Sequence, residues 1–234
     1  MNPTPAEARL DRVNYVAIFT EQKMQVAVLT FDGFNELDSF VSYLIINRLK
    51  AKGWQAFITS PNEHVASMNG INIQAEKPLE FAQEADAVLV GSGTKTLDIV
   101  NDSSLMSRIK LNPDIQLIGA QCSGTLVLSR LGVLETGVAC TDLKTKPWVI
   151  ESGLEVLNQP FFADGNVATA GGCLASQYLA AWVIMKLGSQ RDVEAALRTV
   201  APVGQIEEYI SRALSAVAPY IRSSSGVPAI PDAV

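Results

Sequence analysis

The chain has 234 residues, 48 % of them apolar and 18 % charged, with a net charge of −6 at neutral pH. That is enough for one globular domain with a full core, and the acidic balance without a basic stretch disfavours nucleic-acid binding. No apolar run reaches the ~18 residues of a membrane span, and three cysteines with one histidine point away from a disulfide framework. Residues 1–22 read as an extension, polar and Pro-containing at first, with a short apolar patch at Tyr15–Phe19. It has no basic region ahead of an apolar one, so it does not read as a secretory signal, and the free-thiol composition suggests a reducing, cytoplasmic setting. Val26–Thr30 is a buried-type strand. Phe40, Val41, Leu44, Ile45 and Leu49 stand at helical spacing, with Gly53 as the stop and Asp38 as a possible N-cap. Gln55–Thr59 reads as a strand, and His64–Ala75 as a hairpin about a type I′ Asn69-Gly70 turn.

Ala87–Val90 is the next strand and ends in Gly91-Ser92-Gly93. Thr96–Asn101 and Ser104–Lys110 read as short helices. Ile115–Ala120 is a further buried strand, followed by Cys122, Ser123-Gly124 and an apolar helical pattern at Leu126, Val127, Leu131 and Leu134. That order sets a cysteine on a tight strand-to-helix elbow, where small neighbours are needed and a helix N-terminus favours a thiolate. Leu154–Gln159 and Val167–Ala170 are later strands, and Cys173–Leu187 is a long apolar helix entered through Gly171-Gly172. Arg191–Val200 and Gln205–Val217 are amphipathic helices, and the tail from Arg222 has no periodicity. Strands alternating with helices predict an α/β fold: a mostly parallel sheet sandwiched by helices, with the cysteine at the elbow. The organisation expected is an extension at 1–22, one domain at 23–221 and a loose tail at 222–234. No Cys or His stands at metal-ligand spacing, so no metal and no other cofactor is expected.

Four blocks in this order resemble the ThiJ/PfpI superfamily, whose fold is flavodoxin-like and class I glutamine amidotransferase-like. They are VAVLTFDGFNELDSF from Val26, ADAVLVGSGT from Ala85, Ala120–Leu134 with Cys122, and GNVATAGGCLASQYLAAWVI from Gly165. The resemblance implies a homodimer and a nucleophilic Cys122. It also implies a carboxyl beside the sulfur, at Asp38 or, two residues earlier, at Glu36. A carboxylate and a thiolate in contact cannot both ionise cheaply, so Asp38 and Cys122 would share a proton. The backbone N–H groups of Gly93 and Ser123 would face developing negative charge, with Gly91, Ser92 and Gly172 lining the same pocket. Hydrolytic relatives carry His directly after the cysteine, where this chain has Ser123, and the loop from Cys140 to Trp148 offers Asp142 but no histidine. Protease and glutaminase chemistry are therefore disfavoured.

His64 reads as a surface residue, Cys173 as a packing residue and Cys140 as a strand residue without chemistry. The set Cys122, Asp38 and Ser123 resembles the isocyanide hydratase branch, a hydratase or lyase acting on a small-molecule ligand. Two alternatives stand beside it. One is a ligand- or redox-sensing protein related to the sensor half of AraC-type regulators, with Cys122 as the oxidised residue. The other is glyoxalase-type chemistry on small α-oxoaldehydes.

Overall fold

The first strand, β1 (Met24–Leu29), is almost wholly buried along MQVAVL, as expected for a parallel strand covered on both faces. The computed structural model describes residues 23–221, so the expectations for 1–22 and 222–234 lie outside the described residues. After β1 come α1 (Glu36–Ile46), a 3-10 turn at Asn47–Lys52 closed by Gly53 with φ 82°, and β2 (Trp54–Ser60). β3 (His64–Ala66) and β4 (Asn72–Gln74) form a separate antiparallel ladder, and β5 (Lys77–Pro78) returns beside β2. β6 (Ala87–Val90) leads to α2 (Thr96–Asn101) and α3 (Ser103–Arg108). β7 (Leu117–Gln121) leads through the cysteine elbow into α4 (Gly124–Arg130). β8 (Val138–Ala139), α5 (Lys146–Glu151) and β9 (Glu155–Val156) make a small outlying unit in which β8 and β9 pair. β10 (Phe161–Asp164) and β11 (Val167–Ala170) precede α6 (Ser176–Leu187), α7 (Gln190–Arg198) and α8 (Ile206–Val217).

The main sheet has seven strands in the order β10-β11-β7-β6-β1-β2-β5, all parallel except β10, which is antiparallel to β11. One apolar layer, with Ile45, Ile46, Leu179, Trp182, Ile184 and Leu197, lies under α1, α6 and α7. The other, with Phe57, Leu79, Phe81, Ile118, Leu126 and Leu128, covers the opposite face. The register sets the site. Leu29 stands opposite Val90, Val90 opposite Ala120, and Gln121 opposite Ala170. The carboxyl ends of β1, β6, β7 and β11 are thus level, and the turns that follow them meet at one edge, the usual place for chemistry in an open α/β sheet. Among the described residues no helix is long and apolar enough to cross a membrane.

Several local expectations change. The first helix begins at Glu36, four residues before the predicted apolar pattern, because Asn35 caps it by accepting the Leu37 N–H at 3.1 Å. Asp38 is therefore in the first helical turn, not a cap. The hairpin does not use a type I′ turn. That turn needs positive φ at both central residues, and Asn69 lacks it while Gly70 has φ 86°. Ser67 organises a longer loop, its Oγ accepting the Asn69 and Ile71 N–H groups. The strand expected at Leu154–Gln159 shrinks to β9. The run Phe161–Asp164, which carries only a short pattern, pairs as β10.

Candidate active site

Cys122 is the one non-glycine among the described residues with φ in the left-handed region, at 48°. Such a conformation costs on the order of 1–3 kcal/mol and persists only where its surroundings hold it. Here they do. The Cys122 N–H donates to the Ala170 carbonyl at 2.8 Å, and the Cys122 carbonyl accepts from the Thr141 hydroxyl at 2.8 Å and the Thr125 N–H at 3.1 Å. Gly124 makes the elbow sterically possible. A Cβ there would lie 2.5 Å from the Val90 carbonyl oxygen and 2.8 Å from that of Gly91. β7 therefore turns into α4 hard against the end of β6.

Three ionisable side chains converge on this elbow from separate elements. Asp38 comes from α1, Cys122 from the end of β7, and Cys173 from the 3-10 turn before α6. One carboxylate oxygen and the two sulfurs lie within 4.8 Å of one another. Asp38 is 2 % exposed and Cys122 4 %, while Cys173 is half-buried. Ser92 Oγ donates to Asp38 Oδ2, whereas Asp38 Oδ1 is buried without a hydrogen-bond partner among the described residues. Two side-chain amides address the sulfurs. Gln121 Nε2 donates to Cys122 Sγ at 3.3 Å and to the Gly172 carbonyl at 2.7 Å, and Asn35 Nδ2 donates to Cys173 Sγ at 3.2 Å.

The electrostatics differ from the sequence expectation in one respect. A helix N-terminus was expected to favour the thiolate. Burial instead pushes the Cys122 thiol well above the ordinary range, and the Asp38 carboxylate pushes it further. α4 has only seven residues, so its dipole is small beside these two effects. Asp38 is raised too, first by desolvation, with the Ser92 hydrogen bond opposing. The two groups titrate as a pair: the first ionisation places one negative charge between them and the second is strongly resisted. Two thiols and a carboxylate are also a donor set that thiophilic cations use. Spacing along the chain did not reveal it, because the three ligands come from distant segments.

The other anticipated residues surround this cluster in altered roles. Ser92 binds Asp38 directly. Gly91 tucks the end of β6 against Ser39, whose Oγ would lie 2.8 Å from a Cβ at that position. The Gly93 N–H is engaged by Ser123 Oγ at 3.2 Å, and that hydroxyl also pairs with Thr96 Oγ1 at 2.7 Å. Ser123 thus braces the β6 turn and does not bond the sulfur. Gly172 takes part through its carbonyl, which orients Gln121. Glu36 turns to Asn69 Nδ2 at 2.9 Å, leaving Asp38 as the carboxyl at the cysteine. Asp142 caps its own loop, accepting the Lys144 N–H at 2.9 Å and the Thr145 N–H at 3.0 Å. His64 is exposed, with a Glu63 carboxylate oxygen 3.9 Å from its Nε2. Cys173, Gln121 and Asn35 are the members that the sequence reading missed. The signal available for Cys173 was its position directly after the last parallel strand, at the same sheet edge as Cys122.

The model of the DJ-1/PfpI family matches residues 24–186, from the first strand to the end of α6. The chain belongs to the DJ-1/PfpI family. Among solved structures it is similar to Schizosaccharomyces pombe DJ-1, with 16 % identity and a TM-score of 0.66 over 76 % of this chain and all (100 %) of that one. A THiJ/PfpI family protein from Pseudomonas syringae gives 18 % identity and a TM-score of 0.69 over 83 % of this chain and 90 % of that one. Drosophila melanogaster DJ-1beta gives 18 % and 0.63 over 76 % and 97 %. At these identities the likeness is one of fold. No curated protein matches the chain.

Proposed function

We propose that this DJ-1/PfpI protein is a cysteine-dependent small-molecule enzyme of the isocyanide hydratase type, with Cys122 as nucleophile and Asp38 as proton carrier. The observation that carries this reading is a buried carboxyl, not a histidine, beside the sulfur. A Cys–His hydrolase needs a base that also protonates a leaving amine. Hydration of an isocyanide needs less. The sulfur adds to the terminal carbon while Asp38 delivers its proton to that carbon, giving a thioimidate. Water adds to the same carbon, one of its protons passing by way of Asp38 to nitrogen, and the carbon–sulfur bond then breaks as the new hydroxyl gives its remaining proton to Asp38. An N-substituted formamide leaves, and Cys122 and Asp38 regain their starting state. Ser92 holds the carboxyl in place, and Gln121 steadies the negative sulfur. The Ser123 N–H at the start of α4 is the donor proposed for the oxygen that develops charge, because the Gly93 N–H already serves the Ser123 hydroxyl.

A homodimer and a cytoplasmic setting complete the proposal. The test is direct: the full chain, reduced, is given simple alkyl and aryl isocyanides, and formamide is followed. Turnover that disappears in Asp38→Asn with binding retained is the expected result. A wild type that forms no formamide from any of them overturns the reading.

A further inference from the structure

We propose that Cys122 and Cys173 form a redox dithiol that reduces a small hydroperoxide and closes to a Cys122–Cys173 disulfide. It draws on the same sulfur as the hydratase reading but does not depend on hydration.

The two sulfurs come from segments 51 residues apart and lie within 4.8 Å of each other and of Asp38. A disulfide needs sulfurs brought to about 2.05 Å. Cys173 is suited to the remaining approach, since it sits on a three-residue 3-10 turn entered through Gly172, at φ 85°, and not inside a packed helix. Each sulfur has its own amide donor, Gln121 for Cys122 and Asn35 for Cys173, so either one can carry negative charge. A pure packing role for Cys173 leaves the Asn35 contact without purpose. The cluster is also close to solvent on one side, where Gly172 and Leu174 are exposed. Cys140 provides a built-in contrast. It is fully buried, its backbone N–H donates to Thr169 Oγ1, and no second sulfur lies with it in the cluster.

The chemistry balances with the hydroperoxide as the oxidant. The Cys122 thiolate attacks the terminal oxygen, the O–O bond breaks, and Asp38 gives its proton to the departing alkoxide, leaving a sulfenic acid and an alcohol. Asp38 then takes the Cys173 thiol proton. The Cys173 thiolate attacks the Cys122 sulfur, the S–O bond breaks, and the hydroxide leaves as water with the proton on Asp38. Two electrons pass from the two thiols to the peroxide, and an external dithiol resets the pair.

The test uses the reduced full chain with one equivalent of hydrogen peroxide, followed by alkylation, digestion and mass mapping. The expected product has lost two hydrogens, carries a linked Cys122–Cys173 peptide pair, and has Cys140 alkylated. Cys173→Ser should instead accumulate oxygen on Cys122, while Cys140→Ser behaves as wild type. A wild type that gathers oxygen on Cys122 with Cys173 still a thiol overturns the proposal, as does any disulfide through Cys140. Isocyanide hydration is measured separately on the reduced protein, so the two readings fail independently.

Discussion

Two buried cysteines of this chain make an instructive pair. Cys140 follows the short strand β8, its N–H bound by Thr169 Oγ1 at 2.8 Å and its carbonyl by Thr125 Oγ1 at 2.9 Å. Burial pushes its thiol up to about 12, with only the Thr169 hydrogen bond working the other way. Cys122 is about as deeply buried, yet it stands in a left-handed backbone conformation beside a carboxyl, a second sulfur and an amide. Burial alone makes a thiol inert. What separates the two is a nearby group able to take and return a proton.

The largest expected effect follows from that contrast. Cys122→Ser should lower hydration on the order of a thousandfold or more, because a hydroxyl without a base is a poor nucleophile. Cys140→Ser should leave the rate unchanged and lower stability by about 1–3 kcal/mol, the cost of burying a hydroxyl where a thiol stood. Steady-state rates and denaturant midpoints on the two variants check both halves. Equal activity losses would erase the distinction.

The sequence made one half of this contrast legible and hid the other. Cys122 and Asp38 each lie inside a local pattern, one between a buried strand and a helix and the other just past the first strand. The parallel sheet was legible because β1, β6, β7 and β11 are unbroken or nearly unbroken apolar runs bounded by turn residues. Cys173, Asn35 and Gln121 were not legible as a group. Asn35 and Cys173 are 138 positions apart and meet only after the sheet has aligned its strand ends. The direction of the thiol shift was hidden for a similar reason. The elbow motif signals a helix N-terminus, but it does not report how much burial surrounds the sulfur or that the carboxyl is itself desolvated. β10 escaped notice because a four-residue edge strand has too short a pattern to distinguish it from a loop.

Asp38→Asn is the next largest perturbation. Loss of the transferable proton should reduce turnover by roughly 100- to 10,000-fold. Replacing the carboxyl donor by the weaker amide donor suggests that the Cys122 thiol should become harder to ionise, but the geometry argues the reverse. The Asp38 charge is one of the causes holding the thiol up, so removing it should bring the thiol down. Ultraviolet titration of thiolate in a Cys140→Ser background measures the direction. A thiol that rises in Asp38→Asn would mean that the carboxyl acts mainly as a donor.

Stability against pH should show both cysteines. A thiol whose folded value lies above its unfolded value stabilises the fold fully below the unfolded value, and that contribution is lost as pH rises through the folded one. For Cys140 the window runs from about 9 to about 12. The chain should therefore lose up to a few kcal/mol across that range. Cys140→Ala should flatten the part of the slope that belongs to Cys140, leaving that from Cys122. Asp38, also raised, adds an earlier decline that begins near its ordinary value of 3.8 as the pH rises. Denaturant midpoints taken at intervals of pH resolve the two regions, and an unchanged alkaline slope in Cys140→Ala would place the missing protons elsewhere.

The smallest expected effect is the most selective. Ser92 donates to Asp38 Oδ2 and favours the ionised carboxyl, against the desolvation that raises it. Ser92→Ala removes that donor and little else, since the Ser92 carbonyl that accepts the Asn35 N–H is backbone and stays. The first ionisation of the Asp38–Cys122 pair should then move to higher pH. The proposed hydration uses the pair in its singly charged form, with one proton between carboxyl and sulfur, so the acidic limb of the rate profile should follow the first ionisation upward. The plateau above that limb should change by no more than about tenfold, the scale of one lost hydrogen bond. The shift distinguishes positioning from catalysis. A lower plateau with an unmoved limb would mean that Ser92 only holds the carboxyl in place. A moved limb with a preserved plateau would mean that it sets the proton affinity of the pair, a role that Cys140, with no carboxyl beside it, cannot offer any neighbour.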